Sequence, residues 1–255
     1  MESADTAGAS PEMWPLSKIA KKLDSVGGKP PKAGYAVLVT TGAMNPPHRG
    51  HLQLLRQAHE RLEAHGYCVL GAWMSPSHDG YVQPKAKSLG TPGLSAPFRL
   101  EAAERTAADD DIVSVGRWEA TFPGLWPDFP KVHQELKEHL AKVELLNGLE
   151  ISVFYACGTD HAEKCGLYRG RMPVVVVPRA GEEAEKENPP KVFVAEPAAG
   201  EVATFSSTLV RKALSEKDFD FVSSALSPEA ARFLLRPTEA ELERFRADYA
   251  KIGIS

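Results

Sequence analysis

The feature that most restricts how this chain can fold is a regular alternation of short, apolar, β-rich runs with stretches of helical spacing. The runs fall at residues 35–41, 67–75, 112–116, 150–157, 173–178 and 191–196. They are nearly continuous in Val, Ile, Leu and aromatic residues, as strands are when helices cover both faces of their sheet. Between them, Leu52, Leu55, His59 and Leu62 follow a helical stripe that Gly66 stops. A second helix is expected from Phe98 to Ala108, and Val132, Leu136, Leu140 and Val143 mark a third. Strand–helix alternation of this kind predicts an α/β fold, a doubly wound parallel sheet of Rossmann-like type in a single domain.

The organisation expected around that sheet has three parts. Residues 1–34 are small, polar and interrupted by Gly27-Gly28 and Pro30-Pro31, and read as a disordered tail, although Ile19, Leu23 and Val26 can share one face of a short helix. The domain proper occupies 35–226. Residues 227–255 read as a helical extension of two helices, opening at Ser227-Pro228 and after Pro237-Thr238. Two long connections stand out, a Ser/Gly/Pro/Lys-rich loop over 75–97 and a charged linker over 181–190 that is expected to be disordered. The first leaves the carboxyl end of a strand, where open parallel sheets bind ligands.

Charge and composition narrow the function. Thirty Lys and Arg stand against 34 Asp and Glu, a net charge of −4, so no cationic excess exists to follow a nucleic-acid backbone. No apolar run approaches the length needed to span a bilayer. Cys68, Cys157 and Cys165 lack CxxC spacing and suggest neither a disulfide framework nor a zinc site. The first 34 residues lack a secretory leader pattern, so a cytoplasmic location is expected, with the nucleus as the other compartment. Self-association is left open.

The segment from Thr41 to Leu52 carries the most chemistry. A strand ends at Gly42, Pro46-Pro47 force a turn, and a helix starts near His48 or Arg49. Gly42 and Gly50 permit close backbone approach, and the free N–H groups of the new helix attract anions. His48 and His51, three apart, share one face of its first turn and can donate to a polyphosphate and neutralise charge there. Either histidine alone would be read as a capping or surface residue. Further along, Ser206, Ser207 and Thr208 open another helix and either cap it or bind phosphate oxygens, with Arg211 one turn on as a guanidinium clamp. Trp118 is a core aromatic or a stacking platform for a flat cationic ring. Asp160, after Gly158 at a strand end, is an N-cap or an acceptor for ribose hydroxyls, and Lys85 is a solvated loop lysine or a mobile phosphate contact.

His48-Arg49-Gly50-His51 resembles the HxGH signature of the nucleotidyltransferase superfamily. Gly42-Ala43-Met44-Asn45-Pro46 looks like the G-S-F-N-P opening of the eukaryotic-type nicotinamide and nicotinate mononucleotide adenylyltransferases. In the same order follow Ser75-Pro76-Ser77-His78-Asp79-Gly80-Tyr81, similar to that family's S-P-x-x-D-x-Y loop, then Arg99, Trp118-Glu119, Cys157-Gly158-Thr159-Asp160 and Ser206-Ser207-Thr208-Leu209-Val210-Arg211.

The resemblance spans about residues 37–214 and implies adenylyl transfer from ATP to a pyridine mononucleotide, giving a dinucleotide and pyrophosphate. It implies His48, His51 and Arg211 as catalytic. ATP would be bound by Gly42, Ala43, Asn45, Gly50, Lys85, Gly158, Asp160, Ser206, Ser207 and Thr208. The acceptor would be bound by Ser75, Tyr81, Arg99, Trp118, Glu119 and Tyr168. Magnesium would be carried mainly on ATP oxygens, because no carboxylate cage is visible. Tyr168 enters because the connection after Asp160 is shorter than in the family, leaving Leu167-Tyr168 to stand in for a Leu-Trp pair that walls the acceptor pocket. Two alternatives remain at this level, a relative acting on a different phosphorylated acceptor and a non-catalytic nucleotide-binding module.

Overall fold

The computed structural model of the chain describes residues 12–26 and 31–254. Six strands form one sheet in the order β3-β2-β1-β4-β5-β6, every neighbouring pair parallel. They are β1 (Gly34–Gly42), β2 (Tyr67–Pro76), β3 (Val113–Val115), β4 (Ile151–Gly158), β5 (Val174–Val177) and β6 (Val192–Val194). All six expected runs therefore become strands. The order reverses direction between β1 and β4, so their carboxyl ends diverge into a crevice.

Helix α1 (Ser17–Ser25) precedes the sheet, and α2 (Arg49–Ala64) connects β1 to β2. Helices α3 (Asp79–Ser88) and α4 (Ala96–Thr106) follow β2, then α5 (Trp118–Thr121) and α6 (Phe129–Leu140) lead to β4. Helix α7 (Thr159–Lys164) leaves β4, and α8 (Ser207–Glu216), α9 (Phe219–Ala225), α10 (Pro228–Leu235), α11 (Glu239–Arg244) and α12 (Arg246–Lys251) complete the chain.

Each sheet face buries one cluster. Leu52, Leu55, Ala58 and Leu62 of α2 and Leu100 and Ala103 of α4 pack with Leu38, Met74 and Phe154 on one side. Val132, Leu136 and Leu140 of α6 pack with Val37, Val39 and Tyr155 on the other. A third cluster joins Phe98 of α4 to Val210, Phe233, Phe245 and Tyr249, so the segment after residue 227 is fastened to the domain through aromatic edges. That segment holds three helices, two short ones replacing the single helix expected after Thr238, because Phe245 leaves the helical range at φ −120°, ψ 27°.

Three further expectations change. The disordered tail over 1–34 is overturned for residues 12–26, while residues 1–11 and 27–30 lie outside the described residues. Trp14 and Ile19 are each 1% exposed and belong to the α6-side core. Trp14 meets Trp73 edge-on at 6.0 Å, Trp73 Nε1 donates to the Pro15 carbonyl at 3.2 Å, and Lys18 Nζ donates to the carbonyls of Ala107 and Val113. A Cβ on Gly116 would enter the Trp14 ring, and one on Gly71 would lie 2.9 Å from Ile19 Cγ1, so the sheet edge is shaped to receive this segment.

The loop expected over 75–97 contains α3 despite Pro84. The helix is anchored by Val82 and Ala86, both buried, and by the His78 ring accepting from the Gly80 N–H at 2.9 Å; tertiary packing overrides a poor local propensity. The 181–190 linker is ordered through Glu187, whose carboxylate accepts from Arg61 at 2.7 Å and from the Val194 N–H at 3.1 Å. Among the described residues, no helix is long and apolar enough to cross a membrane.

Replacing Trp14 by Ala removes a fully buried indole, and the expected loss is about 3–5 kcal/mol. Denaturant unfolding checks it; a loss below about 1 kcal/mol would mean that residues 12–26 are not part of the cooperative core.

Candidate functional site

At the crevice between β1 and β4, a cavity of about 290 Å³ is lined by His48, Gly50 and His51 of the β1–α2 turn. Gly158 at the end of β4, Val177 to Arg179 at the end of β5, and Phe205 to Ser207 at the start of α8 also line it, with further α2 side chains and the 198–203 segment. Two helix N-termini therefore open on one cavity, and their unpaired N–H groups and dipoles make it suited to an anion.

The two histidines are locked into one protonation pattern by the turn that carries them. The Gly50 N–H donates to His48 Nδ1 at 3.1 Å, and the His48 N–H donates to His51 Nδ1 at 3.1 Å, a reciprocal capping box. His51 Nδ1 also lies 3.3 Å from the His48 carbonyl, but a backbone amide can only donate, so the shorter amide contacts assign the proton of each neutral ring to Nε2. Burial pushes His51 down to about 4. His48 is driven well below its ordinary value by burial, then by the neighbouring His51 and by Arg179. The imidazoles are thus neutral N–H donors at pH 7, in keeping with the hydrogen-bond donation expected from the sequence. Their ring centroids are 3.9 Å apart. A Cβ on Gly50 would sit 2.8 Å from the His48 ring, which explains the glycine between them.

Around this centre, Ser206 Oγ accepts from the Leu209 N–H at 3.2 Å as the N-cap of α8. Ser207 Oγ donates to the Pro46 carbonyl at 2.8 Å, fixing α8 against the β1–α2 turn. Asp160 is exposed on α7 with Arg179 4.0 Å away. Arg179 was not anticipated; its signal is a cation at the carboxyl end of a parallel strand, two residues before the segment read as a linker. A part-buried chain also joins the ends of β1 and β4: Thr41 Oγ1 lies 2.9 Å from the Tyr155 hydroxyl, which lies 3.3 Å from His161 Nε2.

Several expected ligand contacts have their side chains committed elsewhere. Arg99 is fully buried and donates to the carbonyls of Leu94 and Ala43 and to Asp79 Oδ1 at 2.8 Å; it positions the Gly42-Ala43 backbone rather than meeting an acceptor. Asn45 spans to the 92–94 segment, donating to the Pro92 carbonyl at 2.8 Å and accepting from the Leu94 N–H at 3.0 Å. Ser75 is buried and donates to Glu119 Oε2 at 2.9 Å. Tyr168 is packed in the α6-side core, so it cannot wall an open acceptor pocket; the short connection after α7 lays it on the sheet.

Lys85 sits on the exposed side of α3, its Nζ 3.1 Å from the Tyr81 hydroxyl, and does not line the cavity. Arg211 also stands outside it, donating to the Asn45 carbonyl at 2.6 Å and to Thr208 Oγ1 at 3.2 Å. Trp118 is half-buried against Phe122 at 4.9 Å. The exposed Trp126, unanticipated, leans on Tyr81 at 5.4 Å.

Comparison with known proteins bears on this arrangement. The cytidylyltransferase-like family model matches residues 39–213. The nicotinamide/nicotinic acid mononucleotide adenylyltransferase of Oryza sativa subsp. japonica is 33% identical over 183 residues, covering 68% of this chain and 69% of that protein. The chain belongs to that adenylyltransferase family. Its Arabidopsis thaliana relative of the same name is 32% identical over 159 residues, covering 58% of this chain and 64% of that protein. Among solved structures, Plasmodium falciparum nicotinic acid mononucleotide adenylyltransferase complexed with NaAD aligns with a TM-score of 0.54 at 11% identity, covering 84% of this chain and 97% of that one. At that identity the likeness establishes the adenylyltransferase fold.

Glu119 supplies a pH test of this site. Burial pushes its carboxyl up to about 7, against the hydrogen bonds of Ser77 and Ser75 and the charge of Arg99. A raised carboxyl pKa means that the native state keeps a proton the unfolded chain has lost, so stability declines as pH rises from about 4.3 to about 7 and then levels off. Relative to Glu119→Gln, the wild type is expected to lose on the order of 2–3 kcal/mol between pH 5 and pH 8, read by denaturant unfolding at the two pH values. Parallel stability curves for the two proteins would refute the assignment.

Proposed function

We propose that this family member transfers the adenylyl group of ATP to nicotinamide or nicotinate mononucleotide, giving the dinucleotide and pyrophosphate. The observation that carries the reading is the pair of Nε2–H donors of His48 and His51, held at the α2 N-terminus on the cavity between β1 and β4. In this reaction a phosphate oxygen of the mononucleotide bonds to the α-phosphorus. The bond from the α-phosphorus to the bridging oxygen of the β-phosphate breaks, and pyrophosphate departs with that electron pair. No protein nucleophile is required, and alignment with charge stabilisation supplies the catalysis.

His51, with His48 beside it, donates to the α-phosphate oxygens as charge shifts there. The N-termini of α2 and α8 receive the remaining phosphates, with Ser206 and Thr208 at the rim and Gly158, Asp160 and Arg179 towards the nucleoside. Arg211 and Ser207 hold the Asn45-Pro46 carbonyls in place, which makes them positioning residues for the phosphate loop. Trp118, with Glu119 behind it, offers the acceptor a ring face. Magnesium is carried mainly on the ATP oxygens and enters as part of the MgATP substrate.

Pyrophosphate release is measured with MgATP and, in parallel, each pyridine mononucleotide, phosphopantetheine or no acceptor. Dinucleotide formation from a pyridine mononucleotide is the expected outcome; ATP binding without product would overturn the reading. His51→Ala is expected to lower kcat about 100-fold or more while costing only about 1 kcal/mol of stability through the lost cap. Unchanged kcat in folded variant protein would remove His51 from the mechanism.

A further inference from the structure

The lining of the histidine cavity continues along α2. Gly50, Gln53, Leu54 and Gln57 are spaced three and four residues apart, so they share one helix face, and all four line the cavity. A second hollow, of about 290 Å³, lies between α2 and residues 196–199. Gln53, Gln57 and Ala198 line both, so the two hollows adjoin. The chemistry changes along this path. At the α2 N-terminus the lining offers N–H donors, from the imidazoles and the free amides of the first turn, which suit phosphates. In the second hollow Glu60 and Glu196 join the two glutamines, and the one cation among the described residues lining it, Arg61, is held by Glu187 at 2.7 Å. Such an acceptor-rich end repels a triphosphate and suits the neutral donors of a ligand's other end.

Gln57 is the fixed point of that end. It is 7% exposed, and its Nε2 donates to the carbonyl of Glu196, just beyond β6. A carbonyl only accepts, so the amide nitrogen must face it and the orientation of the side chain is settled. Among the described residues the side chain makes no second hydrogen bond, which leaves Oε1 as an acceptor on a residue that lines both hollows. Its partner is 139 positions away in the chain, so the folded sheet holds the acceptor in place before a ligand arrives, which lowers the cost of binding. Gln57 follows His51 by six residues, about 9 Å along the helix. A nucleotide with its α-phosphate at His51 has a ribose to accommodate over that length before its base reaches Gln57. Leu54, Ala198, Val202 and Ala203 add apolar lining for the faces of a flat ring.

We propose that Gln57 reads the base of the nucleotide substrate, its Oε1 accepting from the exocyclic amino group of a 6-aminopurine. A purine with a carbonyl at that position sets acceptor against acceptor, and one with hydrogen there leaves Oε1 unpaired in a buried site. The inference rests on the adenylyl-transfer reading and assigns its choice of nucleotide to a side chain outside every motif that marks the phosphate and acceptor sites.

Binding of ATP, ITP and purine riboside triphosphate, each with magnesium and without acceptor, is measured by calorimetry on the full chain. The same series is run on Gln57→Met, which keeps the length of the side chain and replaces its amide by a thioether. The wild type is expected to bind ATP about 10-fold or more tighter than the purine analogue, with ITP weaker still. In Gln57→Met, ATP is expected to fall to the level of the purine analogue, whose own affinity is nearly unchanged. Equal affinity of the wild type for ATP and the purine analogue would overturn the proposal without any variant. So would an undiminished preference for ATP in Gln57→Met, or equal weakening of all three nucleotides, the mark of a merely structural residue. ATP binding without discrimination counts against base reading alone, whereas failure of ATP itself to bind overturns the adenylyl-transfer reading with it.

Discussion

Arg99 is the interaction on which the rest of the site depends. Its guanidinium, removed from water, satisfies the carbonyls of Leu94 and Ala43 and the carboxylate of Asp79. It thereby joins the end of β1, the start of α3 and the approach to α4. Only the Arg99 side of the pair is buried, so removing the part-exposed Asp79 leaves a buried guanidinium without its counter-charge, whereas the intact pair contributes little net stability. Its value is geometric. With Ala43 fixed from behind and Asn45 tied to Pro92 and Leu94, the turn into α2 has one path, and His48 and His51 have one orientation.

The same turn determines the electrostatic character of the cavity. Each imidazole spends its Nδ1 lone pair on a backbone amide, so the ring's proton faces outward and burial keeps it neutral. Positive potential comes from helix ends and from Arg179 at the rim, rather than from the histidines. Fixed neutral donors need no reorganisation as charge moves between phosphates, and they do not hold an anionic product as tightly as buried cations would.

Much of this was legible in the sequence because it rests on periodicity and local chemistry. Six apolar runs gave six parallel strands, and the Gly-Pro-His segment placed the α2 terminus at the crevice, since strand, turn and cap signals there agree. What was not legible depends on partners distant in the chain. Trp14 and Ile19 look like stray apolar residues in a polar tail until Gly116 and Gly71 provide the space for them. Pro84 argues for a loop until Val82 and Ala86 are seen to be buried. Arg99, Asn45 and Ser75 fit ligand-binding motifs in the chain, yet their side chains are committed within the protein, Arg99 and Asn45 to backbone beneath the site and Ser75 to the Glu119 carboxyl. Glu187, in a segment with the composition of a linker, finds Arg61 and Val194 only once the sheet is formed.

The packing of Trp14 over Gly116 has a consequence for how sequences of this kind can diverge. The indole occupies the volume that any side chain at position 116 would need, so the two positions form a single steric unit although about a hundred residues separate them. A larger residue at 116 is compatible with the fold only if the aromatic at 14 shrinks or withdraws, and the order of the two changes matters because either intermediate is clashed or hollow. Drift at the N-terminal segment is therefore constrained by the edge of the sheet, and the pair is expected to change together or not at all.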